Sequence, residues 1–449
     1  MSATQHRLIA RPFVAILVGI GSAGTAARAA AAEPATPPLR FAFGAGPTPP
    51  GYARVTPTAV YSADAGFGFE PGAKVTAADH GGAAAAGPAR AGSCSGDGPF
   101  FFSAAVPSEG NYRVTVTLGG PAAASVTTVK AELRRLMLEQ VRTAPGAVVT
   151  RSFIVNVRTP ALPGGGRVKL KVPRETTDEA WAWDGRVTLE FNGSHPSVAA
   201  VEIEPAADVP TVYLLGDSTV CDQSREPYAS WGQMLPRFLK PDVAVANHAE
   251  SGDTLASAAG ARRLEKVLSL LKPGEFVLVQ YGHNDMKAKA PDASAAYKAA
   301  LKRWVGQIKE RGGVPVLVMP MNRHSFDGTT VTNSLRDYRE AAREEGVALV
   351  DLNAMSKTLY EALGPTESAR LFAHPDAADP TKFDGTHHSP YGAYELARCV
   401  AEGLRRDVPA LARHLADDLP AFDPAKPDPF ASFAVPPSPG FTARRPLGD

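Results

Sequence analysis

The sequence is poor in cysteine, nearly balanced in charge and without long apolar stretches beyond its first residues, and each absence excludes a class of protein. Its 449 residues hold three cysteines and no CxxC pair, which excludes a disulfide-dense scaffold and offers no zinc site. Lys and Arg total 47 and Asp and Glu total 46, so the net charge of +1 gives no field that would hold a nucleic acid. No later segment approaches the roughly 18 apolar residues of a membrane span. We therefore expect an ordinary globular protein with no nucleic-acid partner and, in its mature form, no membrane anchor.

The first 32 residues have the layout of a secretory signal peptide. A weakly basic start precedes the apolar run 13–20, and small residues follow that fit an A-x-A cleavage site. Gly19 and Gly21 interrupt the apolar stretch, which disfavours the alternative of a stable anchor helix. We therefore predict that residues 1–32 are removed and that the mature protein is secreted or periplasmic.

Residues 38–207 carry the pattern of an all-β domain. Polar and apolar residues alternate in short segments bounded by Gly, Pro or Asn, namely 112–118, 168–172, 187–191 and 198–203. Short strands at this spacing, without a run of amphipathic helices, predict an antiparallel β-sandwich. Segment 128–141 could instead be helical, because three leucines fall near one face, but its β-rich flanks favour two strands or one strand and a turn.

Between residues 208 and 415 strands and helices alternate. Short apolar runs predict buried strands at 211–215, 243–246, 276–280, 314–319 and 347–350. Helical segments are expected around 254–272, 292–311 and 332–345, with further ones beginning near residues 228 and 390. This order predicts an α/β fold in which helices cover both faces of a parallel sheet. Residues 416–449 are Pro-rich, and we expect an extended strap or a disordered end there.

The residues that could carry chemistry follow the predicted strands, because active sites of open parallel sheets lie at the carboxyl ends of their strands. Gly216-Asp217-Ser218-Thr219 follows the first strand of the α/β region. Its glycine permits a tight turn that would place Ser218 at the mouth of the sheet, where a nucleophile belongs. Serine at such a position also often caps a helix, and taken alone Ser218 fits that role better.

Three further loops hold residues that complement a serine nucleophile. Gly252 follows the second strand and could bring a backbone N–H close to a ligand, although alone it is only a turn residue. Asn284, after the third strand, could donate a hydrogen bond into the same cleft, and asparagine is otherwise a common turn former. Asp384 precedes His387 by three residues, so the carboxylate could accept the imidazole Nδ1–H and leave Nε2 facing Ser218.

Together these four blocks resemble the SGNH, or GDSL-type, hydrolase family. Its blocks are matched by Gly216-Asp217-Ser218, Gly252, Gly282-x-Asn284-Asp285 and Asp384-x-x-His387. The runs GDSTV at 216–220 and LKPGEFVLVQYGHND at 271–285 are similar to the rhamnogalacturonan acetylesterase branch, and the β-rich region resembles the galactose-binding-like domain that precedes many bacterial members. That branch often continues its second block as Gly-Arg-Ser, whereas Asp253-Thr254 follows Gly252 here.

The resemblance implies a flavodoxin-like three-layer sheet and a serine mechanism that needs no metal or other cofactor. It implies that Ser218 is the nucleophile, that His387 takes its proton, and that Asp384 fixes the tautomer of His387. It also implies an oxyanion hole formed by the backbone N–H groups of Ser218 and Gly252 and by the side chain of Asn284.

Several neighbouring residues have two interpretations. Asp217, His283 and Asp285 flank the blocks and are candidates for substrate binding, although ordinary loop hydrogen bonds would explain them as well. His388 competes with His387 for the role of base, and the Asp-x-x-His spacing favours His387. Three cations in loops could pair with galacturonate carboxylates or simply be solvated: Arg225, Lys287 and Arg323.

The leading hypothesis is a secreted carbohydrate esterase that removes acetyl groups from a plant cell-wall polysaccharide, with acetylated rhamnogalacturonan, a pectin, as the expected partner. A GDSL lipase, arylesterase or thioesterase would share the mechanism, but no extra apolar loop near the four blocks supplies an acyl groove. A catalytically silent carbohydrate-binding protein is disfavoured, because all four blocks hold competent residues. The β-rich domain could bind sugars or support the fold, and its aromatic residues fit either role.

Overall fold

The computed structural model describes Met1 and residues 37–79, 87–121, 123–325, 332–374, 379 and 381–439. Apart from Met1, the predicted signal peptide lies outside the described residues. From residue 38 onward the chain forms one unit, in which a β-sandwich precedes a parallel sheet. No helix in the described ranges is long and apolar enough to cross a membrane.

The N-terminal domain is a sandwich of two mainly antiparallel sheets. Its strands are β1 Leu39–Phe43, β2 Ala53–Val55, β3 Phe67–Phe69, β4 Thr76–Ala78, β5 Ser93–Ser95, β6 Phe100–Ala105, β7 Gly110–Gly119, β8 Ser125–Ala131, β9 Arg135–Thr143, β10 Val148–Val157, β11 Arg186–Ser194 and β12 Ser197–Pro205. One sheet has the order β10-β7-β12-β1-β2, with β5 joined to β12 and β4 to β5, and the other has the order β3-β6-β11-β8-β9. Phenylalanines from both sheets fill the core, where the rings of Phe43 and Phe102 pack edge to face with centroids 5.0 Å apart.

The sandwich confirms the predicted all-β class. Segment 128–141 lies in β8 and β9, which form a hairpin, so the helical alternative is wrong. One predicted strand is also wrong, because residues 168–172 join neither sheet. Instead this segment packs on the next domain, where Lys169 N donates to Ala261 O, and it leads into a single π-helical turn at Arg174–Asp178. Its alternation does not mark a strand, because Val168 packs with Leu133, Trp181 and Trp183 of the sandwich domain and Val172 is exposed.

The second domain is the predicted three-layer α/β fold. Its parallel strands are β13 Thr211–Gly216, β14 Ala244–Asn247, β15 Phe276–Gln280, β16 Val314–Val318 and β17 Ala348–Val350. They lie in the order β14-β13-β15-β16-β17, the flavodoxin-like order 2-1-3-4-5. A two-stranded antiparallel ladder of β18 Phe372–Ala373 and β19 Asp384–His388 lies apart from this sheet. The helices are α1 Trp231–Met234, α2 Leu255–Gly260, α3 Arg263–Leu270, α4 Ala293–Glu310, α5 Thr332–Glu345, α6 Leu352–Glu367, α7 Pro390–Asp407 and α8 Pro409–Ala412.

Apolar side chains of the sheet enter two separate cores. Val212, Leu214 and Leu278 belong to the core shared with α6 and α7, whereas Leu215 and Val277 belong to the core shared with α3 and α4. This division explains why the strands appear in the sequence as continuous apolar runs. The sequence did not predict α6, and the helix expected at 254–272 is divided into α2 and α3 at Arg262, whose φ is +66°.

The chain after α8 returns to the sandwich as an extended strap. Lys130 Nζ donates to Pro436 O at 2.7 Å, and Asn192 Nδ2 donates to Pro437 O at 2.9 Å. Ser438 Oγ donates to Glu190 Oε2 at 2.7 Å. These buried polar contacts bind the strap to β8 and β11, which are more than two hundred residues earlier in the chain.

Candidate active site

The candidate nucleophile lies directly after β13, an interior strand of the parallel sheet. A Cβ atom at Gly216 would be 2.5 Å from Val220 Cγ2 and 2.7 Å from Gln280 O, so only glycine fits at the start of this turn. Asp217 Oδ1 accepts hydrogen bonds from the backbone N and the hydroxyl of Thr219, at 3.0 and 2.8 Å. Ser218 does not cap a helix, because α1 begins at Trp231 and its N-cap is Ser230.

Ser218 belongs to a continuous chain of hydrogen bonds. Its Oγ is 2.8 Å from His387 Nε2, and His387 Nδ1 is 2.7 Å from Asp384 Oδ2. Asp384 Oδ1 also accepts from the backbone N–H groups of Thr386 and His387, at 2.9 and 3.1 Å. Burial alone would raise the pKa of Asp384, but the hydrogen bond and charge of His387 and these N–H groups lower it to about 2. The ionised carboxylate holds the Nδ1–H tautomer, which leaves Nε2 to accept the proton of Ser218.

The two adjacent histidines point in different directions. His388 Nε2 lies 2.8 Å from the Tyr360 hydroxyl, in the core between α6 and α7, and the residue is buried. Burial, together with the charges of His283 and His387, lowers the pKa of His388 to about 3. Both histidines lie on β19, where successive side chains alternate between faces, rather than on the loop expected from the sequence. The structure therefore places His387, and not His388, against Ser218.

The three predicted oxyanion donors each keep at least one N–H that no described group accepts. No described residue accepts a hydrogen bond from the backbone N–H of Ser218 or of Gly252. Gly252 has a φ of +78°, a conformation that favours glycine. Asn284 Nδ2 donates to Asp253 O at 3.1 Å, and Lys287 Nζ donates to Asn284 Oδ1 at 2.9 Å, which fixes the amide orientation and leaves one Nδ2 hydrogen for a ligand. This set of donors is suited to a developing oxyanion.

Two of the candidate substrate-binding side chains lie beneath the cleft. Asp217 and His283 are buried, with His283 Nδ1 3.6 Å from Asp217 Oδ2 and His283 Nε2 3.0 Å from Met321 O. Burial alone would raise the pKa of Asp217, but His283 and the Thr219 donors lower it. Asp285 Oδ1 accepts from Leu255 N at the start of α2, at 3.0 Å. All three side chains contact protein groups, which agrees with the alternative of ordinary loop hydrogen bonds, and their role in substrate binding stays a prediction.

A cavity of about 240 Å³ adjoins the His387 side of the site. Asp384, His387 and Ser251 contribute to its wall, together with Arg225 and Tyr228 from the segment that follows β13. Arg225 is exposed and has no carboxylate partner among the described residues. The other two cations named from the sequence act on protein groups, since Lys287 contacts Asn284 and Arg323 donates to His283 O at 3.1 Å.

The cavity also contains residues that the sequence did not reveal. Arg174 and Asp178, from the π-helical turn of the sandwich domain, line it beside the triad. Gln223 lines it too, and its Nε2 donates to Ser218 O at 2.7 Å. No motif marks these positions, because their role depends on how the first domain packs on the second. Within the described residues, no group of three or more His, Cys, Asp or Glu could hold a metal ion.

Comparison with known proteins gives two family matches. The GDSL-like lipase/acylhydrolase family matches residues 214–393, and the galactose-binding domain-like region of β-agarase/YXIM esterase-like proteins matches residues 39–141. The first match contains Ser218 and His387, and the second lies within the sandwich.

Two curated relatives come from Bacillus subtilis (strain 168). Rhamnogalacturonan acetylesterase RhgT is 36% identical over 217 residues, which cover 45% of this chain and 93% of the relative. The uncharacterized esterase YxiM is 28% identical over 394 residues, which cover 84% of this chain and 92% of the relative. A crystal structure of the Bacillus subtilis YxiM protein is 25% identical, covers 82% of this chain and 98% of that one, and has a TM-score of 0.43. The chain therefore belongs to the GDSL-like lipase/acylhydrolase family, in which its relatives include carbohydrate acetylesterases, and it is a carboxylic ester hydrolase.

Proposed function

We propose that this chain is a secreted serine esterase that removes O-acetyl groups from plant cell-wall polysaccharide, with acetylated rhamnogalacturonan as its substrate. The observation that carries the proposal is the hydrogen-bonded series Ser218–His387–Asp384, which adjoins a polar cavity containing two arginines. The 36% identity to a rhamnogalacturonan acetylesterase over nearly the whole length of that relative supports the choice of substrate.

The first half of the reaction forms an acetyl-enzyme. Ser218 Oγ attacks the acetyl carbonyl carbon while His387 Nε2 takes the hydroxyl proton, and Asp384 stabilises the imidazolium that results. The carbonyl oxygen becomes an oxyanion within reach of the N–H groups of Ser218 and Gly252 and of Asn284 Nδ2. The tetrahedral intermediate then collapses, the bond to the sugar oxygen breaks, and His387 returns its proton to that oxygen.

The second half of the reaction reverses these roles with water. His387 Nε2 takes a proton from a water molecule, which attacks the acetyl carbonyl carbon of the acetyl-enzyme. A second tetrahedral intermediate forms in the same oxyanion hole and collapses to acetic acid, while His387 returns its proton to Ser218 Oγ. The released acid then loses its own proton to water and leaves as acetate. His387 and Asp384 are each about 30% exposed at the side chain, so water reaches the base without a rearrangement.

The charge of the cavity supports an acidic polysaccharide. Arg225 is exposed beside Asp384 and His387, where a uronate carboxylate on a neighbouring sugar could pair with it. Lining residues of the cavity are mainly polar or charged, so the wall is poorly suited to a long acyl chain. The apolar cavity of the second domain, lined by Phe372, Phe430 and Phe433 among others, includes neither Ser218 nor His387. A short acyl group therefore fits the site better than a lipid chain.

Acetate release tests the proposal. We expect release from acetylated rhamnogalacturonan by the wild type and none by Ser218→Ala. Arg225→Gln should raise KM for acetylated rhamnogalacturonan but not for acetylated xylan, which lacks galacturonate in its backbone. Arg343→Gln is the matched control, because Arg343 is exposed on α5 and does not line the cavity.

The outcomes separate the parts of this proposal. Release from acetylated xylan alone would keep the serine mechanism and change the substrate. Hydrolysis of long-chain esters alone would favour a lipase. Silence of the wild type on every ester would favour a carbohydrate-binding role. Secretion is tested by expressing the full chain and sequencing the N-terminus of the exported protein, which we expect to start near residue 33.

A further inference from the structure

One lysine of the sandwich domain contacts the loop that carries Gly252 next to that glycine. Lys171 Nζ donates a hydrogen bond to Ser251 O, although the two residues are 80 positions apart in the chain. The same ammonium is 2.9 Å from Asp253 Oδ1 and 3.9 Å from Glu250 Oε1. The lysine thus contacts the residues on both sides of Gly252.

The contact to Ser251 O bears directly on the Gly252 N–H. Ser251 O and Gly252 N belong to the same peptide unit, which is planar and trans, so the carbonyl and the N–H point in opposite directions. An ammonium bound to the carbonyl on the sandwich side therefore directs the N–H away from the sandwich. It also polarises the peptide and makes the N–H a stronger donor, because hydrogen bonds in series reinforce one another.

A buried network fixes the position of Lys171. Asp253 Oδ2 accepts from Arg263 Nε at 2.8 Å, and Arg263 donates to Glu175 Oε2 at 2.6 Å. Glu175 Oε2 also accepts from Lys171 N at 2.8 Å, which closes a loop between the two domains. Arg263, Glu175 and Asp253 are each at most 1% exposed, so water competes little with these bonds. Asp253 is occupied inside this network and does not face the cleft.

We propose that Lys171 is a positioning residue for ester hydrolysis, which orients and polarises the 251–252 peptide so that Gly252 N–H meets the oxyanion. The sandwich domain then completes the active site instead of only binding sugars or supporting the fold. This inference rests on the proposed function, since it needs Gly252 to be an oxyanion donor. Lys171 is about one-third exposed, so a cysteine that replaces it would be accessible to chemical modification.

Steady-state kinetics of Lys171→Met with 4-nitrophenyl acetate test the inference. Methionine keeps the apolar stem but cannot donate, so kcat should fall by about 10- to 100-fold, less than the loss of a whole oxyanion donor. KM should change by less than about twofold, because the contact acts on the transition state rather than on the bound ester. Rates are expressed per active site titrated with a phosphonate that labels the serine, which removes any contribution from misfolded protein. Lys169→Met is the matched control, because Lys169 is exposed and its side chain contacts none of these groups, and its kcat should equal that of the wild type.

Inhibition by methylboronic acid reports the oxyanion hole more directly. Its tetrahedral serine adduct mimics the acetyl-transfer intermediate, so its inhibition constant should rise in Lys171→Met by about the factor by which kcat falls. A purely structural role for Lys171 would lower the melting temperature and leave both quantities unchanged per titrated site.

A second variant, Lys171→Cys, allows the ammonium to be restored chemically. Lys171→Cys should be as slow as Lys171→Met, and alkylation with 2-bromoethylamine should restore kcat by rebuilding an ammonium of nearly the same length. The native Cys94, Cys221 and Cys399 are free and buried, so the new thiol is the one that reacts in the folded protein. An unchanged kcat in Lys171→Met, or no recovery after alkylation, would overturn the inference. Acetate release by Ser218→Ala would instead refute the proposed function itself.

Discussion

The two halves of the active site are supported in different ways. The nucleophile half, residues 216–224 and 250–254, is held by buried charges of the sandwich domain. Arg135 Nε donates to Asp222 Oδ2 at 2.7 Å, with both side chains 2% exposed, and Arg134 donates to Gln223 O at 3.1 Å. The second loop is held by Lys171, which is about one-third exposed, and by Arg263 of α3, which also pairs with the buried Glu175 of the sandwich domain.

The proton-transfer half, β18 and β19 with Asp384 and His387, is built within the second domain. It consists of a short two-stranded ladder with an irregular register between Phe372 and Ala373. The His387 and Asp384 side chains are 30% and 29% exposed, whereas Ser218 is 5% exposed as a residue. One half is therefore buried and cross-linked between domains, and the other is partly open to solvent.

This difference corresponds to what each half has to do. Oxyanion donors stabilise a transition state only when they are already in place, so they gain from rigid support. A general base has to exchange protons with water and with the leaving sugar, so it gains from access to solvent. The sandwich domain satisfies both requirements, because it supports the nucleophile half and leaves the proton-transfer half open to solvent.

The largest effect should come from breaking the proton-transfer half. In Asp384→Asn the amide can donate to His387 Nδ1, which forces the proton onto Nε2 and prevents His387 from accepting the Ser218 proton. We expect kcat for 4-nitrophenyl acetate to fall by about 10⁴-fold. Asp417→Asn is the matched control, because its side chain is 89% exposed in a surface pair with Lys240, and it should retain full activity. A loss of less than about tenfold would show that Asp384 does not set the tautomer.

Removing a buried ion pair that supports the nucleophile half should lower both the free energy of unfolding and kcat. Glu175→Gln removes one member of the buried Arg263 pair, and leaving a buried charge without its partner costs about 3–5 kcal/mol. Urea unfolding should show a lower free energy of unfolding, and kcat should fall with it. Glu265→Gln removes an exposed pair with Arg262 and should change the free energy of unfolding by less than about 1 kcal/mol. Equal effects of the two variants would show that the Glu175–Arg263 pair supports the fold no more than an exposed ion pair does.

Removing one oxyanion donor should separate catalysis from stability. Asn284→Ala deletes the Nδ2 donor from a half-buried loop position, so we expect kcat to fall by about 10²- to 10³-fold with little change in the melting temperature. Asn353→Ala is a useful contrast, because Asn353 Nδ2 donates to Pro320 O in the core and should affect stability rather than kcat per titrated site. A normal kcat in Asn284→Ala would show that Asn284 is not an oxyanion donor.

The smallest effect concerns pH. Burial, reinforced by the charges of Glu179 and Glu175, raises the pKa of Glu250 above its usual range, so the folded protein holds a proton that the unfolded chain releases. Its contribution to stability is therefore present below about pH 4.3 and is lost as pH rises toward the raised pKa. Glu250→Gln keeps a neutral donor, so its free energy of unfolding should depend less on pH between 5 and 8. Glu361→Gln, on an exposed part of α6, should follow the wild type. Parallel pH curves for Glu250→Gln and the wild type would show that Glu250 is ionised in the fold.

Much of the second domain could be predicted from its sequence because its signals are local. Buried parallel strands appear as apolar runs, Gly216 ends β13, and Gly252 and Asn284 lie in the loops that follow β14 and β15. The spacing of Asp384 and His387 predicted their hydrogen bond, which is formed within one short strand. The irregular strand β19 itself was not predicted, because five residues carry too little periodicity to distinguish a strand from a loop.

The contacts between domains could not be predicted, because they depend on tertiary packing. Residues 168–172 alternate as a strand would, yet they join no sheet, and Lys169 N donates to Ala261 O of the second domain instead. Lys171 and Arg174 lie next to catalytic loops only after the two domains have packed. Asp253 stands where the acetylesterase branch often has arginine, and only the structure shows that it faces Arg263 and Lys171 instead of the substrate.

The most direct test of the central claim is to identify the residue that carries the acyl group. The wild type is incubated with a phosphonate that mimics the tetrahedral intermediate, and the labelled peptide is identified by mass spectrometry. Labelling of Ser218, abolished in Ser218→Ala and slowed in Lys171→Met at equal folded concentration, is the predicted result. Labelling of another residue, or acetate release by an enzyme whose Ser218 cannot be labelled, would contradict the account.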